Sequence, residues 1–494
     1  MTNGKNFYIT TTLPYVNADP HIGFALEIIQ ADVIARYHRQ KGDSVFFNTG
    51  VDEHGLKIYR KAQEEGLETK EYCDIYARRF DDLKKVLNLS YNSFIRTTDK
   101  EHIKIAQEFW LRCQKNGDIY KKNYKIKYCV GCELEKTNSE LVKGKCPFHP
   151  DQELETIEEE NYFFRYSKYE KKLLALYKKN PQFVLPAGRL KEIKEFTKKG
   201  LKDFSISRLK EKMPWGVPVP GDNSQIMYVW FDALVNYISC LGWPNNLEKF
   251  SDFWPGFQIA GKDNLRQQSS MWQAMLMSAG LPTSKQILIH GFVSADGQKM
   301  SKSLGNVVDP FDLVKEYGSE NSPQAGTDAV RYFLLREFSP FEDGDYTSQK
   351  FEERYNFDLA NGLGNLVARV LTMAEKVNPK SKIQMSNQIQ NPKFKTEIDK
   401  TRERYKKFLD DFKFNESLMI IWELISFCDK YIEKERPWEN TENKLSIINN
   451  LLIALTSITQ ILQPFLPGTS EKIIEQIKSG KKETLFPRIE TIKN

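Results

Sequence analysis

The order of apolar and polar positions divides the chain into an alternating part and a purely helical part. Residues 5–15 and 44–50 form short apolar stretches rich in aromatic and β-branched side chains, which predict buried strands. Segments such as 71–87 and 100–116 instead carry the pattern of helices. Strands that alternate with helices are typical of a parallel sheet with right-handed crossovers. We therefore predict an α/β fold with a doubly wound parallel sheet.

This alternation is interrupted between about residues 117 and 228. The segment is rich in lysine and tyrosine, holds three clustered cysteines and carries an acidic run at 151–160. Strand and helix signals return at 257–263, 268–279 and 286–292. We predict that the two separated halves form one sheet around an inserted segment.

Strand signals fade after about residue 350, and predicted helices cover 361–377, 416–435 and 443–462. In the last of these, apolar residues recur at steps of three and four, namely Ile448, Leu451, Leu452, Leu455, Ile458 and Leu462. We predict an all-α helical bundle over 351–494.

The composition changes this picture little. The chain has 494 residues, of which 40% are hydrophobic and 28% charged, as in globular proteins with several domains. The formal net charge of +6 permits a nucleic-acid partner without requiring one. The N-terminal stretch lacks the pattern of a secretory signal, and the apolar run 451–462 is shorter than the ~20 residues that span a bilayer. We therefore expect a cytoplasmic protein with no membrane partner.

The seven cysteines separate into a scattered set and a cluster. The absence of framework spacing indicates a reducing compartment. Core packing is the expected role of the scattered ones, which are Cys73, Cys113, Cys240 and Cys428.

The clustered cysteines lie in the stretch CVGCELEKTNSELVKGKCPFH of the predicted insertion. Cys129 and Cys132 form one chelating pair, and Cys146 with His149 forms a second. Two such pairs suit tetrahedral Zn²⁺, and a complete set of four protein ligands is typical of a structural metal. We predict one structural zinc ion per chain; the alternative is a chance grouping.

Two further stretches carry residues suited to phosphate binding. In the first, a helix is predicted to open with Asp19 and Pro20, just after the first strand. His21 stands in its first turn, and Gly23 admits a ligand to the backbone. A helix N-terminus offers free N–H groups and positive dipole potential to a phosphate. The alternative is a surface histidine beside a helix start.

The second stretch, DGQKMSKSLGN, follows the predicted strand 286–292. Its lysines, Lys299 and Lys302, are point charges on long stems that can grip phosphate oxygens, and glycines lie at both ends. Because ligands bind at the carboxyl edge of open α/β sheets, we predict that this loop closes over a nucleotide and stabilises transition-state charge. A solvated basic loop is the alternative.

These two stretches resemble the HIGH and KMSKS motifs of class I aminoacyl-tRNA synthetases. The wider stretches are similar to the methionyl-tRNA synthetases in particular, in the same order over nearly the whole chain; they are TTTLPYVNADPHIGF, TGVDEHGLKI, YVWFDALVNY and GQKMSKSLGN. The resemblance implies a Rossmann-like catalytic domain. It implies ATP-dependent ligation of L-methionine to tRNA(Met) through methionyl-adenylate, with release of AMP and pyrophosphate. It also implies Mg²⁺ with ATP, and tRNA(Met), ATP and L-methionine as partners.

The resemblance assigns roles to residues of this sequence. For ATP binding it implies His21, Gly23, Lys299 and Lys302. It implies a catalytic role for His21, Lys299 and Lys302 as well. For methionine binding it implies Leu13, Tyr15, Asp52, Arg208, Trp230, Ala233, Tyr237 and Asp263. For the tRNA anticodon it implies Asn365, Arg369, Pro437 and Trp438. The alternatives are ordinary core packing for the aromatic residues and packing on the bundle for Trp438.

Some positions depart from the family pattern. Phe24 replaces the second histidine of HIGH, which removes a donor near the ATP phosphates. Gln267 and Gln268 stand where the family often has an aromatic residue followed by histidine, close to the expected place of the methionine sulfur. His149 departs from the all-cysteine form of the zinc knuckle.

The predicted division of the chain follows from these assignments. The first half of the catalytic domain covers 1–116, the connective insertion with the zinc knuckle 117–228, and the second half 229–310. A linker and stem-contact region beside the KMSKS loop covers 311–350, and the anticodon-binding bundle covers 351–494. Since the chain stops soon after the bundle, we expect a monomer.

Two other functions are open at this point. A class I synthetase for another amino acid, such as cysteine or leucine, would keep both motifs. The helical bundle, the short insertion and the aromatic pocket residues argue against it. A non-catalytic RNA-binding relative would keep the fold; Phe24 and the two glutamines give it slight support, whereas His21 and the intact KMSKS stretch oppose it.

Overall fold

The computed structural model describes residues 4–136, 140–301, 304–319, 322–377, 391–439 and 442–489. The chain folds into two compact units. The first unit comprises 1–19, 41–82 and 91–289, and the second comprises 20–40, 83–90 and 290–494. Each unit is described by itself.

Strands and helices are numbered here in chain order. Within the described residues, the strands are β1 (Asn6–Thr10), β2 (Ser44–Val51), β3 (Ser93–Arg96), β4 (Ile119–Cys129), β5 (Leu134–Lys136), β6 (Glu155–Phe164), β7 (Val184–Leu185), β8 (Phe204–Ser205), β9 (Ser207–Leu209), β10 (Pro218–Val219), β11 (Asp222–Met227), β12 (Phe257–Gly261), β13 (Gln286–His290), β14 (Val293–Ala295), β15 (Gln298–Lys299) and β16 (Gly344–Tyr346). The α-helices are α1 (Ile22–Gln40), α2 (Leu56–Glu64), α3 (Thr69–Val86), α4 (Lys100–Lys115), α5 (Glu170–Lys179), α6 (Ala187–Lys198), α7 (Val229–Ala233), α8 (Asn236–Ser239), α9 (Leu247–Phe253), α10 (Trp272–Ser278), α11 (Pro310–Tyr317), α12 (Pro323–Arg336), α13 (Ser348–Arg354), α14 (Asn365–Val377), α15 (Pro392–Asp410), α16 (Phe414–Glu435), α17 (Lys444–Leu462) and α18 (Pro467–Ser479).

A six-stranded sheet in the order β3-β2-β1-β12-β13-β7 organises the first unit. Its pairs β1–β2, β2–β3, β1–β12 and β7–β13 are parallel. The strand order reverses between β1 and β12, and in open α/β sheets a ligand crevice forms at such a reversal, outside the carboxyl ends of the strands. The predicted parallel sheet formed by two separated halves of the chain is confirmed.

The predicted insertion is more closely joined to this sheet than its sequence indicates. Four of its strands form one antiparallel sheet, in the order β5-β4-β6-β8, and three form a second, in the order β10-β11-β9. β7, however, adds to the edge of the parallel sheet, where Val184 pairs with Ile287 and Leu185 with Leu288. Two residues carry too little periodicity to reveal a strand in a sequence.

Aromatic side chains fill the core of the first unit beside this sheet. Phe109 of α4 stacks on Trp272 of α10 with ring centroids 5.7 Å apart, and Trp110 meets Phe231 edge-on at 5.3 Å. Burial of such large rings supplies much of the hydrophobic stabilisation of a core. Helices α4, α7 and α10 are thereby held in place, and α7 carries part of the candidate site.

The second unit contains the C-terminal helices. The predicted apolar stripe of α17 is buried throughout, from Ile448 to Leu462. Within the described residues, α17 is also the helix that is long and apolar enough to cross a membrane, with a mean hydropathy of 1.7 in its most apolar window. Since 67% of that window is buried inside the protein, its apolar surface is already covered by the neighbouring helices. The predicted bundle is confirmed.

The start of α1 differs from the prediction. The helix begins at Ile22, so Asp19 does not cap it. His21 is the capping residue, because its Nδ1 accepts the N–H of Gly23 at 3.0 Å. Asp19 instead forms an ion pair with Arg79 of α3. An N-cap position satisfies one of the free N–H groups of the first turn, and a ring nitrogen does so here in place of the usual carboxylate.

Candidate functional site

A cavity in the first unit opens at the carboxyl ends of β1, β2 and β12. Its lining residues follow these strands or belong to α7 and α8; they are Thr12, Leu13, Asp52, Trp230, Ala233, Leu234, Asn236, Tyr237, Asn264 and Gln268. The predicted pocket residues Leu13, Asp52, Trp230, Ala233 and Tyr237 are thus brought together. The cavity lies at the strand-order reversal, where a ligand site is expected in this kind of sheet.

The other predicted pocket residues lie outside this lining. Tyr15 packs edge-on against Trp230 with ring centroids 6.4 Å apart, so it supports the cavity wall from behind. Arg208 is buried on β9, where its guanidinium lies over the rings of Tyr128 and Tyr228 at 5.2 and 4.8 Å. Asp263 is exposed on the turn after β12, and the cavity is lined there by its neighbour Asn264.

The acidic group of the cavity is the buried carboxylate of Asp52. Its backbone N–H donates to the carbonyl of Pro14 at 2.9 Å, and its carbonyl accepts from Val16 at 3.2 Å. The N–H of His54 donates to Asp52 Oδ1 at 3.3 Å. Burial raises the pKa of Asp52 well above its ordinary value, and the negative charge of Asp232 raises it further. A cationic group beside Asp52 would oppose this shift and favour the ionised carboxylate.

A buried network lies behind this carboxylate. Asp232 contacts His54 Nδ1 at 2.5 Å and His102 Nε2 at 2.8 Å, and His102 Nδ1 lies 2.9 Å from Ser239 Oγ. Although burial disfavours the charged form, the two imidazoles lower the pKa of Asp232 below its ordinary value. Asp232 therefore stays ionised in the core and joins α7, which carries it, to α4 and the end of β2.

Sequence reasoning missed this network. His54 and Asp232 lie inside the quoted stretches TGVDEHGLKI and YVWFDALVNY, where charged residues interrupt apolar or turn residues. That interruption was the available signal, since a charged residue in a buried segment needs a partner. The pairing itself joins residues 178 positions apart, and no local pattern shows it.

Gln268 has a defined place at the cavity wall. Its Nε2 donates to the hydroxyl of Tyr237 at 2.6 Å, and its Oε1 accepts from Gln258 at 3.4 Å. The glutamine therefore orients the phenol that lines the cavity. Gln267 is buried beside it.

The two phosphate-binding candidates meet within the second unit. The N–H of Ile22, the first residue of α1, donates to the carbonyl of Val308 at 3.1 Å. A Cβ added to Gly23 would lie 2.7 Å from the His21 ring and 3.7 Å from the methyl group of Met300. A glycine is required here because any larger residue would displace the imidazole. The start of α1 therefore lies beside Met300 of the KMSKS stretch.

The protonation of His21 follows from its contacts. Its Nδ1 accepts a hydrogen bond, so the ring proton of the neutral form is on Nε2. Although the residue is exposed at the surface, desolvation by surrounding atoms lowers the pKa of the imidazole. The ring is thus a neutral donor at neutral pH, which can give a hydrogen bond to an anionic oxygen through Nε2.

The predicted loop begins as a β-hairpin. Strands β14 and β15 pair antiparallel, and the turn residues Asp296 and Gly297 both have positive φ, 51° and 72°, as a two-residue hairpin turn requires. Lys299 is exposed at the end of β15. Asn306 closes the following loop, since it accepts from Ser301 N–H at 2.9 Å and donates to the Lys299 carbonyl at 3.3 Å. Lys302 lies outside the described residues.

The four residues predicted as metal ligands come together in a candidate metal centre. The ligand atoms of Cys129, Cys132, Cys146 and His149 all lie within 4.8 Å of one another. Cys132 Sγ is 3.4 Å from Cys146 Sγ and 3.2 Å from His149 Nδ1. Donors of a tetrahedral zinc site with bonds of about 2.0–2.3 Å lie about 3.3–3.8 Å apart, and these two separations are close to that range. Three thiols and an imidazole are also the donor types that such an ion prefers. Gly131 lets the backbone lie close against the His149 ring, because a Cβ at this position would be 2.6 Å from that ring.

The predicted anticodon residues lie at the ends of helices in the bundle. Asn365 is exposed at the start of α14, and Arg369, one turn later, pairs with Asp429 at 3.4 Å and with Glu433 of α16. Trp438 follows the end of α16, and 53% of it is exposed, whereas Pro437 is buried. The Arg369–Glu433 pair places these groups at the same end of the bundle.

Comparison with known proteins identifies the family. Residues 7–371 match the family described as tRNA synthetases class I (M). The chain belongs to the class I (M) tRNA synthetases. Residues 392–491 match the anticodon-binding domain of tRNA ligase, so the bundle of the second unit is that domain of the family.

Individual members of this family resemble the chain over nearly its full length. The methionine–tRNA ligase of Thermotoga maritima is 41% identical over 486 residues, covering 96% of this chain and 76% of that protein. The methionine–tRNA ligase of Thermosynechococcus vestitus is 41% identical over 485 residues, covering 96% and 90%. The resemblance found in the sequence is confirmed.

Solved structures of the family have the same fold. The Mycobacterium tuberculosis methionyl-tRNA synthetase in complex with methionyl-adenylate has a TM-score of 0.90 at 35% identity, covering 98% of this chain and 100% of that one. The apo form of that synthetase has a TM-score of 0.83 at 32% identity, covering 99% of each chain. The predicted class I synthetase fold is therefore confirmed.

Proposed function

We propose that this chain ligates L-methionine to tRNA(Met) in two steps. In the first, the methionine carboxylate attacks the α-phosphorus of ATP, methionyl-adenylate forms and pyrophosphate leaves. In the second, the terminal ribose hydroxyl of tRNA attacks the adenylate carbonyl and AMP leaves. Neither step needs a nucleophile from the protein, so the residues act by positioning and by charge stabilisation.

The observation that carries the proposal is the cavity around Asp52. The carboxyl group of Asp52 at its polar end would receive the α-ammonium group of an amino acid, whose positive charge would favour the ionised form. Aromatic residues, among them Trp230 and Tyr237, line the rest, and thioether sulfur packs favourably against ring edges. These two features together match methionine better than a short polar amino acid such as cysteine.

The residues at the start of α1 and on the hairpin would bind ATP. The neutral imidazole of His21 can donate through Nε2 to a phosphate oxygen, and Lys299 and Lys302 would supply positive charge as the pyrophosphate separates. Gly23 leaves the backbone of the first turn open to the nucleotide. Phe24 offers no donor, so we assign the hydrogen bonding of the motif to His21 alone.

For the metal centre we propose Zn²⁺, held by Cys129, Cys132, Cys146 and His149. With four protein ligands the ion would stabilise the fold of the insertion. Mg²⁺ would accompany ATP and neutralise phosphate charge.

For the bundle we propose that Asn365, Arg369, Pro437 and Trp438 form the anticodon site. The exposed ring of Trp438 can stack on an unpaired base, and Asn365 and Arg369 can bond to base edges. We propose further that the enzyme works as a monomer in the cytoplasm, where tRNA is charged, without a membrane partner. The division of the chain into five parts stays a prediction.

The test of the amino-acid specificity is pyrophosphate exchange with each amino acid in turn. We expect exchange that depends on L-methionine and not on cysteine or leucine. Exchange with another amino acid would transfer the assignment to that substrate, and no exchange with any amino acid would establish a non-catalytic relative.

The test of the anticodon site is the Trp438→Ala variant. Because stacking contributes about 1–3 kcal/mol per base, we expect KM for tRNA to rise about 5- to 150-fold. Methionine-dependent pyrophosphate exchange should stay at the parental rate, since it needs no tRNA. Trp438→Phe keeps a ring for stacking and should retain most of the affinity; an alanine variant with parental tRNA affinity contradicts the role.

A further inference from the structure

Glu133 is a buried carboxylate that follows the metal-ligand residue Cys132 directly. Only 1% of the residue is exposed. Its backbone has a positive φ of 49°, an uncommon conformation for a residue with a Cβ. Such a conformation persists where surrounding contacts hold it. Glu133 is therefore fixed at the edge of the metal centre, facing the protein interior.

The carboxylate caps α2, the helix that follows Asp52 along the chain. Oε1 of Glu133 accepts the N–H of Lys57, the second residue of α2, at 2.8 Å. The residue before α2 is Gly55, which has no side chain to cap the helix, and a Cβ there would lie 3.0 Å from Glu133 Oε1. A carboxylate at a helix N-terminus is favoured by the free N–H groups and by the helix dipole. Glu133 thus caps α2 in place of Gly55. Gly55 itself lies only three residues after Asp52 in the chain.

The same residue contacts the opposite wall. The hydroxyl of Tyr228 donates to the backbone carbonyl of Glu133, and the hydroxyl of Tyr128 donates to its Oε2. Tyr228 is the residue before α7, the helix that carries Trp230 and Ala233 into the cavity. One residue beside the metal therefore bonds to the segment that carries Asp52 and to the segment that carries Trp230.

We propose that Glu133 is a positioning residue that couples the metal centre to amino-acid binding. With the metal bound, the Cys132–Glu133 backbone is held, α2 is capped, and the two walls keep the spacing that methionine needs. The proposal rests on the proposed function, because it takes methionine as the ligand of the cavity. By linkage, if the metal favours methionine binding, methionine must favour metal retention by the same factor.

The test compares Glu133→Ala with the parent in direct methionine binding by isothermal titration calorimetry. We expect the methionine Kd to rise about tenfold, within the range of measured coupling energies, while KM for ATP changes less than about twofold. Glu133→Gln keeps an oxygen for the Lys57 N–H and should restore most of the affinity. Glu159→Gln is the matched control, a buried glutamate of the same insertion, and should bind methionine as the parent does.

A second readout uses the metal itself. Zinc content should be one per chain in the parent and in Glu133→Ala. In equilibrium competition with a chelating dye, saturating methionine should lower the zinc Kd about tenfold in the parent, and should have little effect in Glu133→Ala. If the alanine variant does not fold, Tyr128→Phe takes its place, since it removes one hydroxyl from the carboxylate and should weaken methionine binding about threefold.

The outcomes separate the two proposals. If the parent binds methionine and Glu133→Ala binds it equally well, or if methionine does not lower the zinc Kd of the parent, the coupling is overturned and the proposed function stands. If the parent binds no methionine, the proposed function fails, and the coupling fails with it.

Discussion

The amino-acid cavity of the first unit and the β14–β15 hairpin of the second are built in contrasting ways. In and directly behind the cavity, the ionisable groups are buried and hydrogen-bonded to other side chains. Asp232, for example, is held by His54 and His102. On the hairpin, Lys299 is exposed to solvent. A group that recognises the substrate in its ground state gains from a fixed position. A group that acts as charge develops in the transition state can stay solvated until then.

The largest expected effect concerns the proposed transition-state role of the second lysine of the KMSKS stretch. Lys302→Ala should lower the rate of methionyl-adenylate formation about 10²–10³-fold, the usual cost of losing one transition-state charge stabiliser. KM for methionine should stay within about twofold of the parent, because the proposed role of the lysine is confined to charge that develops in the transition state. Single-turnover adenylate formation measures both. Lys315→Ala, an exposed lysine of α11, is the control, and a parental rate in Lys302→Ala contradicts the role.

A smaller effect is expected from the buried side. Asp52→Asn removes the negative charge that would receive the ammonium group, which is worth about 1.5–3 kcal/mol, so KM for methionine should rise about 10- to 150-fold. KM for ATP should be unchanged. If both constants rise together, the substitution has disturbed the fold of the unit and the selective role of Asp52 is wrong.

The pH dependence sharpens the same contrast. Burial and the Asp232 charge raise the pKa of Asp52, so acidification protonates it at a higher pH than an ordinary carboxyl group. Because the ammonium group binds the ionised form, KM for methionine should increase as pH falls through that raised pKa. Asp52→Asn, which has no such proton, should show a flat profile. A parent profile as flat as that of the variant would falsify the electrostatic role.

The smallest effect concerns the orientation of a cavity side chain. Gln268→Ala removes the hydrogen bond to the Tyr237 hydroxyl, worth about 1 kcal/mol, so KM for methionine should rise about fivefold. In a Tyr237→Phe background the same change should have little further effect, since the bond is already absent. Additive effects in the double variant would mean that the glutamine acts on methionine by another route.

Local periodicity explains how much of the fold could be predicted from the sequence. The apolar stripe of α17 and the strands β1, β2 and β13 follow from patterns a few residues long. The N-terminus of α1 could not be predicted in the same way. Its cap is the ring of His21, while Asp19, the better capping residue by composition, pairs with a distant arginine.

In the candidate site, groupings of residues that are close in sequence could be predicted. Contacts between residues far apart in sequence could not. The spacing of Cys129 and Cys132 indicates a metal site. Trp230 and Tyr237 are also close in sequence, and both line the cavity. His54, the partner of Asp232, and Lys57, a partner of Glu133, lie far away along the chain, and hydrogen bonds between buried polar groups leave no periodic signal. A prediction from sequence therefore finds the groups that touch substrates more readily than those that hold them in place.

Any effort to trim this protein to a smaller catalyst must deal with β7. Excising residues 117–228 as a detachable module would remove Val184 and Leu185 and leave β13 as a bare edge. Exposed edges of this kind recruit strands from other molecules and promote aggregation. A shortened variant would thus need a replacement edge strand or a charged residue facing outward from β13 before it could be handled in concentrated solution.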